Sequence, residues 1–239
     1  MATSDRSKKP TARPPRTAAT AGKSSKAAPV QPASTVVLFV RHGQTPSTGS
    51  VLPGRAPGLH LSEAGIAQAE KAADRISKLP KIHAIYVSPL ERTRETAKPI
   101  AAATGVTPRV ARGLLECEFG DWTGRKLADL AKLPEWRAVQ TAPSTFRFPN
   151  GESFVEMQTR ICSQIEKLVA QHRGETIVCV SHADPIKAAV AQAQGTHLDL
   201  FQRTVISPCS ITPIMYTAGS PIVLAVNSTG DDLTSLAPA

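Results

Sequence analysis

The sequence predicts an α/β domain with a mainly parallel sheet, which follows a basic N-terminal arm. Short apolar runs alternate with longer segments in which apolar residues recur at helical spacing, and this alternation is typical of parallel sheets. Glycines and prolines separate many of these segments. We expect strands at 35–40, 82–88, 176–181, 211–216 and 222–227, and helices at 61–80, 89–105, 126–133, 151–172 and 183–195.

The first half of the domain begins with TVVLFV at 35–40, which is apolar or β-branched at every position. Such a run is expected for a strand that is covered on both faces. Ser62 is the N-cap candidate of the next helix, because its hydroxyl can accept a hydrogen bond from the first turn. Pro89 opens the second long helix at a position where proline is tolerated. The predicted apolar face of the first helix consists of Ile66, Ala69, Ala73 and Ile76.

The second half begins with a polar loop at 112–125 and a short helix at 126–133, and a proline-rich loop is expected at 134–149. A long amphipathic helix follows, and Gly195 ends the last helix of the domain. The apolar face of the long helix is predicted to consist of Phe154, Met157, Ile161, Ile165 and Leu168.

The charge is unevenly distributed along the chain. The net charge is +9, and residues 1–34 carry seven basic side chains against one acidic side chain. This segment is rich in Ala, Ser, Thr and Pro, so it cannot bury enough apolar surface to fold. We therefore expect a disordered basic arm at 1–34, a folded domain at 35–230 and a short tail at 231–239. A targeting segment or a contact with nucleic acid is the alternative for the arm.

The lengths of the apolar runs and the spacing of the cysteines argue against a membrane protein and a disulfide-rich or zinc-binding protein. No apolar run approaches the ~18–20 residues that span a bilayer, so no contact with a membrane is predicted. The four cysteines are scattered, with no C-x-x-C pair and no close Cys/His cluster. This spacing argues against disulfides and a structural zinc site, and it favours the reducing cytoplasm. We expect a cytoplasmic protein without a metal or another cofactor.

Polar residues gather where the predicted strands end. The stretches are RHG at 41–43, SPLERTR at 88–94, LLECEFGDW at 114–122 and SHADP at 181–185. Ligands of parallel sheets bind beyond the carboxyl ends of the strands, so we expect these stretches to form one site. The candidate side chains are those of Arg41, His42, Arg92, Arg94, Glu116, Glu118, Asp121, His182 and Asp184.

This set of residue types suits phosphoryl transfer without a metal ion. Guanidinium groups bind phosphate, and they lower the pKa of a nearby imidazole, which keeps His42 nucleophilic. A carboxyl group, from Glu116 or Glu118, can protonate the leaving oxygen and then activate water. Backbone N–H groups that follow His182, including that of Ala183, can bind further phosphate oxygens. The residues therefore predict a phosphohistidine intermediate.

Five motifs resemble, in order and spacing, the histidine phosphatase superfamily. They are LFVRHGQT, SPLERTRETA, LLECEFGDWTG, PNGES and VSHADPI, and the resemblance covers residues 35–227. The resemblance implies a three-layer α/β/α fold of the phosphoglycerate mutase-like type. It also implies that His42 is the phosphorylated nucleophile and that Glu116 is the acid/base glutamate, with Glu118 as the second candidate. The phosphate pocket that it implies contains Arg41, Arg92 and His182.

Some positions depart from the pattern of the family and bear on the substrate. Thr48 stands where mutase-like members often carry asparagine, and Asp184 stands where many relatives have glycine. The stretch VLPGRAPGLHLSEAG at 51–65 is also unusual, and we expect Arg55 to lie over the mouth of the pocket. The predicted substrate contacts are Thr48, Gly54, Arg55 and Glu118.

The favoured function is that of a phosphomonoesterase whose partner is a small phosphorylated metabolite. A phosphomutase is the alternative, in which the product is retained and rephosphorylated on another oxygen. The absence of the longer insertions of glycolytic mutases, together with Thr48, favours the esterase. A non-catalytic module that binds phosphorylated ligands is the third hypothesis. Contact with nucleic acid is expected only through the basic arm, if at all.

Overall fold

The computed structural model describes residues 1–2 and 33–230 of the chain. Most of the predicted arm and the whole predicted tail at 231–239 lie outside the described residues. Within them, six strands form one sheet. These are β1 (Thr35–Arg41), β2 (Ala84–Val87), β3 (Pro108–Val110), β4 (Thr176–Ser181), β5 (Ile211–Tyr216) and β6 (Pro221–Val223).

The sheet is mainly parallel, as the sequence predicts. Its strand order is β3-β2-β4-β1-β5-β6, which places β1 and β4 at the centre. Strand β4 pairs in parallel with both β1 and β2, and β2 pairs in parallel with β3. Strand β5 runs antiparallel to β1, and β6 runs antiparallel to β5. The carboxyl ends of β1, β2 and β4 therefore lie at the same edge of the sheet.

Helices cover both faces of the sheet and give the predicted three layers. Helices α1 and α2 share one hydrophobic core with the sheet, and α5 and α6 share a second core on the opposite face. Among the described residues, no helix is both long and apolar enough to cross a membrane. The helices are α1 (Glu63–Ser77), α2 (Glu91–Thr104), α3 (Leu127–Leu130), α4 (Trp136–Thr141), α5 (Phe154–Gln171) and α6 (Ala183–Ala193).

The continuous apolar run of β1 follows from its place between these two cores. Val37 and Phe39 pack towards α5 and α6, whereas Leu38 and Val40 pack towards α1 and α2. All four side chains are buried, and each contributes about 1.5–3 kcal/mol relative to an exposed position. Strand β1 is thus anchored from both sides immediately before Arg41.

Helix α5 confirms its predicted apolar face, because all five predicted side chains are buried. Its N-terminus is fixed by a capping box, in which the Ser153 hydroxyl accepts from the Glu156 N–H. The Glu156 carboxylate in turn accepts from the Ser153 N–H. Two of the orphan donors at the start of the helix are satisfied in this way.

Three local predictions are wrong. Ile66 is 51% exposed, because the buried side of α1 starts with Gly65 and continues through Ala69 and Ala72. Pro89 precedes the second helix, which begins at Glu91 after Leu90 as N-cap. The stretch predicted as a proline-rich loop contains α4, because the prolines at its start and end leave a helical turn between them.

The two short edge strands also differ from the expectation. Strand β3 was absent from the sequence prediction, because it has only three residues and none of them is buried. The last predicted strand, at 222–227, forms a regular strand over Pro221–Val223, and Ser228 forms an isolated bridge with Ile211. Edge strands bury little apolar surface, so their sequence pattern is weak.

A close approach of two backbone segments fixes the turn after β1. The Ser62 N–H donates to the carbonyl oxygen of Gln44 at 2.9 Å, and this contact brings the start of α1 against that turn. A Cβ atom on Gly65 would lie 2.0 Å from the Gln44 oxygen, and a Cβ atom on Gly43 would lie 2.5 Å from the Gly65 oxygen. Both positions therefore require glycine, including the glycine of the RHG motif.

We expect Gly65→Ala to lower the free energy of unfolding by about 1–3 kcal/mol, because the added methyl group forces the turn and the helix apart. Alanine is otherwise the better helix former, so any loss in urea denaturation reflects this clash. Gly219→Ala is the control, because its nearest neighbour would be the Thr217 hydroxyl at 3.7 Å. Equal stability of the Gly65 variant and wild type would contradict the proposed steric role.

Candidate active site

Two histidines meet at the carboxyl edge of the sheet. His42 follows β1 and His182 follows β4, and the His42 N–H continues the strand pairing by donating to Ser181 at 3.0 Å. Their ring centroids are 5.3 Å apart with the edge of one ring towards the other. Both rings are buried, so the strands hold them in fixed positions.

The hydrogen bonding of His42 identifies its tautomer. Its Nδ1 atom lies 2.8 Å from the Gly43 carbonyl oxygen, which can only accept a hydrogen bond. The proton of the neutral ring is therefore on Nδ1, and Nε2 carries a free electron pair. Burial, and then the charges of Arg92 and Arg41, lower the pKa of His42 well below its usual 6.5. The ring is therefore neutral at physiological pH.

Two guanidinium groups lie beside the histidines, that of Arg92 fully buried and that of Arg41 half-buried. Arg41 donates from Nη1 to the Ile206 carbonyl oxygen at 2.7 Å, and Arg92 donates from Nη2 to the Gly54 carbonyl oxygen at 2.8 Å. Within the described residues, Arg41 Nε and both Nε and Nη1 of Arg92 are buried without a partner. Buried N–H groups of a cation are costly without an acceptor, so these groups indicate a binding site for an anion.

His182 lies between the guanidinium groups and a carboxyl group. Its Nε2 atom is 2.8 Å from the Ser88 hydroxyl, and Ser88 directly follows β2. Its Nδ1 atom has no hydrogen-bond partner in the described part of the chain and lies 4.0 Å from Glu116 Oε2. Burial, followed by the charge of Arg92, lowers the pKa of His182 well below 6.5. A neutral His182 can donate one hydrogen bond to a ligand or to Ser88.

Glu116 is the carboxyl group of the site. It is buried, and its Oε1 atom accepts a hydrogen bond from the Cys117 N–H at 2.9 Å. Burial, and then the negative charge of Asp184, raise the pKa of Glu116 to about 7 against the opposing charges of Arg92 and Arg41. Near neutral pH this carboxyl group can therefore donate a proton in one step and accept one in another.

The loop that carries Glu116 is held by a network of charged side chains. Arg55 donates to the Glu116 carbonyl oxygen at 2.8 Å and pairs with Glu118 and Glu152. Arg160 donates to the same carbonyl oxygen at 3.2 Å and also pairs with Glu152. The Glu118 N–H donates to Glu152 as well, at 3.1 Å. These contacts fix the backbone on both sides of the acid.

Arg160 has a part in the site that is not predicted from the sequence. Arg160 stands next to Ile161, on the border of the apolar face of α5, and this position was the available signal. A charged side chain at such a border lies close to whatever packs on the helix. The structure places Arg55 and Glu118 in the same network, so they help to hold the loop that carries Glu116.

A cavity of about 400 Å³ opens beside this cluster. Six of the predicted site residues line it, and the Thr48 hydroxyl accepts from the Thr45 N–H at its wall. The lining does not include the predicted residues Gly54, Arg55, Arg94, Glu118 and Asp121, while Arg92 and His182 lie deeper in the protein. No group of three or more potential metal ligands occurs in the part of the chain that the structure describes. The six predicted lining residues are Arg41, His42, Thr48, Glu116, Ala183 and Asp184.

The sequence matches the family model of the histidine phosphatase superfamily (branch 1) over residues 37–229. A bifunctional protein of Mycobacterium tuberculosis is 32% identical over 200 residues, which are 82% of this chain and 54% of that protein. The chain thus spans about half the length of this relative. Phosphoserine phosphatase 1 of Hydrogenobacter thermophilus is 29% identical over 81% of this chain and 92% of its own length.

Solved structures of phosphatases have the same fold. A mycobacterial glucosyl-3-phosphoglycerate phosphatase superimposes with a TM-score of 0.73 at 26% identity, over 82% of this chain and 99% of that chain. A phosphoserine phosphatase of Entamoeba histolytica, crystallised with phosphoserine, gives a TM-score of 0.73 at 26% identity. That comparison covers 82% of this chain and 98% of the other.

The geometry predicts different titrations for two histidines. We expect His42 to stay neutral, with its proton on Nδ1, when the pH falls from 8 to 6. The exposed His60 should protonate above pH 6.5, because its hydrogen bond to Glu95 raises its pKa. Nitrogen chemical shifts of the imidazole rings measure both charge and tautomer. Protonation of His42 above pH 6.5 would contradict the effect of burial and of the two arginines.

Proposed function

This chain belongs to the histidine phosphatase superfamily, and we propose that it is a metal-independent phosphomonoesterase. It transfers the phosphoryl group of a small ester first to His42 and then to water. The observation that carries the proposal is the free Nε2 electron pair of His42 beside two guanidinium groups, each of which has buried nitrogen atoms without a partner among the described residues. The protonatable Glu116 in the same cavity supports the same reaction.

In the first step, Nε2 of His42 attacks the phosphorus atom. The nitrogen–phosphorus bond forms while the bond to the ester oxygen breaks, and Glu116 gives its proton to that oxygen. Arg41 and Arg92 neutralise the phosphoryl oxygens during the transfer, since phosphoryl transfer depends on positioning and charge. His182 and the Ala183 N–H are the further donors that we propose for these oxygens. The step leaves phosphohistidine, a free alcohol and a deprotonated Glu116.

In the second step, water takes the place of the alcohol. The Glu116 carboxylate accepts a proton from the water while the water oxygen attacks the phosphorus atom. The nitrogen–phosphorus bond breaks, and its electron pair returns to Nε2 of His42. Inorganic phosphate leaves, His42 is neutral again and Glu116 carries the proton needed for the next turnover.

The charge of the cavity supports hydrolysis over the mutase reaction. Among the described residues that line it, the cations are Arg41 and Lys187, and Lys187 is paired with Asp184 at 3.2 Å. A bisphosphorylated mutase cofactor carries a second phosphate, and this cavity offers no unpaired cation for it. The names of the similar phosphatases support a small phosphorylated metabolite as substrate. The cytoplasmic location remains a prediction from the cysteine pattern.

We expect the purified protein to release phosphate from a panel of phosphomonoesters with EDTA present. His42→Ala should abolish this activity, because no other group supplies the attacking electron pair. His60→Ala is the matched control and should leave it unchanged, since that ring is 61% exposed and pairs with Glu95. Acid-stable labelling, or full activity of the His42 variant, would contradict a phosphohistidine mechanism. Interconversion of phosphoglycerates that outpaces phosphate release would instead favour a mutase.

The proton on Glu116 should matter most for poor leaving groups. We expect Glu116→Gln to lower kcat/KM about 10²–10⁴-fold for an alkyl phosphate and much less for a phenyl phosphate. In wild type, kcat/KM for the alkyl ester should fall as the pH rises through about 7, where Glu116 loses its proton. The ratio of the two esters isolates this effect, because ionisation of the substrate phosphate is common to both.

Glu118→Gln is the matched control for that experiment. Its carboxylate pairs with Arg55 outside the cavity, so the ratio between alkyl and phenyl esters should stay close to wild type. If Glu118→Gln rather than Glu116→Gln removed the pH dependence, the second candidate of the sequence analysis would be the acid.

A further inference from the structure

We propose that the alcohol released by this phosphatase is uncharged and carries a hydroxyl group, which Asp184 and Gln202 bind in the cavity. This inference rests on the proposed function and adds the chemical class of the leaving group. It assigns to Asp184 a role as the residue that rejects esters with a carboxylate or a second phosphate.

The three side chains concerned form a chain of contacts in the cavity wall. Lys187 Nζ lies 3.2 Å from Asp184 Oδ1 and 2.9 Å from Gln202 Oε1. The side chains of Lys187 and Asp184 are only 16% and 18% exposed. All three residues line the same cavity as His42 and Glu116. The group is therefore within the space that a leaving group occupies after its phosphate binds to the arginines.

The hydrogen-bonding capacity of this group suits a hydroxyl. Lys187 can only donate, so the oxygen of the Gln202 amide faces it and the NH₂ group of that amide remains as a donor. Asp184 uses one carboxylate oxygen for Lys187 and keeps the other as an acceptor. A hydroxyl group can donate to the carboxylate and accept from the amide at the same time. A carboxylate on the ligand offers only acceptors and meets the negative charge of Asp184.

The balance of charge leads to the same conclusion. The phosphate itself engages Arg41, with Arg92 behind it, and the remaining cation of the described cavity wall is Lys187. Since Asp184 already neutralises Lys187, a second anionic group on the substrate would find no unpaired cation. Like charges placed together without compensation weaken binding, which is how a site rejects a wrong ligand.

Part of the remaining wall is apolar and leaves room for a carbon skeleton. Trp136 lines the cavity and stacks on the buried Trp122, with ring centroids 6.1 Å apart. Leu52, Leu127 and Val139 also line it. Flat aromatic and aliphatic surfaces favour a ring or a chain over a compact polar metabolite. The inferred leaving group therefore has an apolar body and a hydroxyl.

Three aryl phosphates that differ in charge test this inference. They are 4-(hydroxymethyl)phenyl phosphate, 4-carboxyphenyl phosphate and O-phosphotyrosine, which is zwitterionic beyond its phosphate. Because phenols are good leaving groups, kcat/KM for these esters depends little on proton donation by Glu116. Any effect of Asp184 on the pKa of Glu116 therefore cancels when the kcat/KM values of two esters are compared as a ratio. We expect the hydroxymethyl ester to have at least a tenfold higher kcat/KM than either of the others, mainly through a lower KM.

Asp184→Asn should reduce the preference over the carboxyphenyl ester to about threefold or less, because Lys187 then becomes an unpaired cation. Asp129→Asn is the matched control, since Asp129 forms the same kind of pair with Lys132, at 3.2 Å, outside the cavity. It should leave the ratio unchanged.

The outcomes separate the inference from the function on which it rests. Equal or faster hydrolysis of the carboxyphenyl ester or of phosphotyrosine would overturn the inference while leaving a phosphatase. A preference that persists in Asp184→Asn would also overturn it. If no ester were hydrolysed, or if hydrolysis survived in His42→Ala, the proposed function itself would be wrong.

Discussion

Arg92 is completely buried at the carboxyl edge of the sheet, and among the described residues its guanidinium group has one hydrogen bond, to the Gly54 carbonyl oxygen. A guanidinium group in such a place costs several kcal/mol unless its charge is compensated. Its anionic neighbour in the cluster is Glu116, and burial makes that carboxyl group prone to bind a proton. With Glu116 protonated, Arg92 and Arg41 present two positive charges to a dianionic phosphate. Burial, and then the charges of the same arginines, lower the pKa of both imidazoles, so the groups that can bind an anion also help to keep the Nε2 electron pair of His42 free.

Positive charges that are buried without full compensation have to be held in place by a rigid support, and the centre of the sheet provides this support. Strand β1 pairs with β4 on one side and β5 on the other, and both of its faces are buried. The backbone of Arg41 continues this pairing, because its carbonyl oxygen accepts from the Cys209 N–H. Cys209 adopts a left-handed conformation with φ of 53°, which is unfavourable for a residue with a side chain. The turn at 206–210 thus combines strain with the hydrogen bond from Arg41 to Ile206, which fixes the guanidinium group.

The sequence predicts those parts of the site that depend on local pattern. His42 and His182 each follow a short apolar run, and the ends of parallel strands must meet at one edge, so their proximity follows from topology. The face of α5 could be predicted for the same reason, since five apolar residues at helical spacing have one way to be buried together. The network around Glu152 could not be predicted as a whole, because Arg55 lies 97 residues from Glu152 in the sequence. Only the fold brings Arg55 and Arg160 to the same carboxylate. Ile66 is a similar case, since only the contact between Gly65 and the turn after β1 decides which side of α1 faces inward.

Glu116 and Glu152 contact the same loop, but their surroundings shift their pKa values in opposite directions. Glu116 is buried with one N–H partner, and its pKa rises to about 7. Burial would also raise the pKa of Glu152, but the hydrogen bond and charge of Arg160, together with the Glu118 N–H and Arg55, outweigh it and lower that pKa. Glu152 therefore stays ionised over the whole range in which Glu116 gains and loses its proton. Because Glu152 does not titrate together with Glu116, its ion pairs can hold the loop in position through both steps of the proposed turnover. If the carboxyl group that holds this loop titrated in the same pH range, its ion pairs would weaken at the moment when Glu116 has to take its proton back.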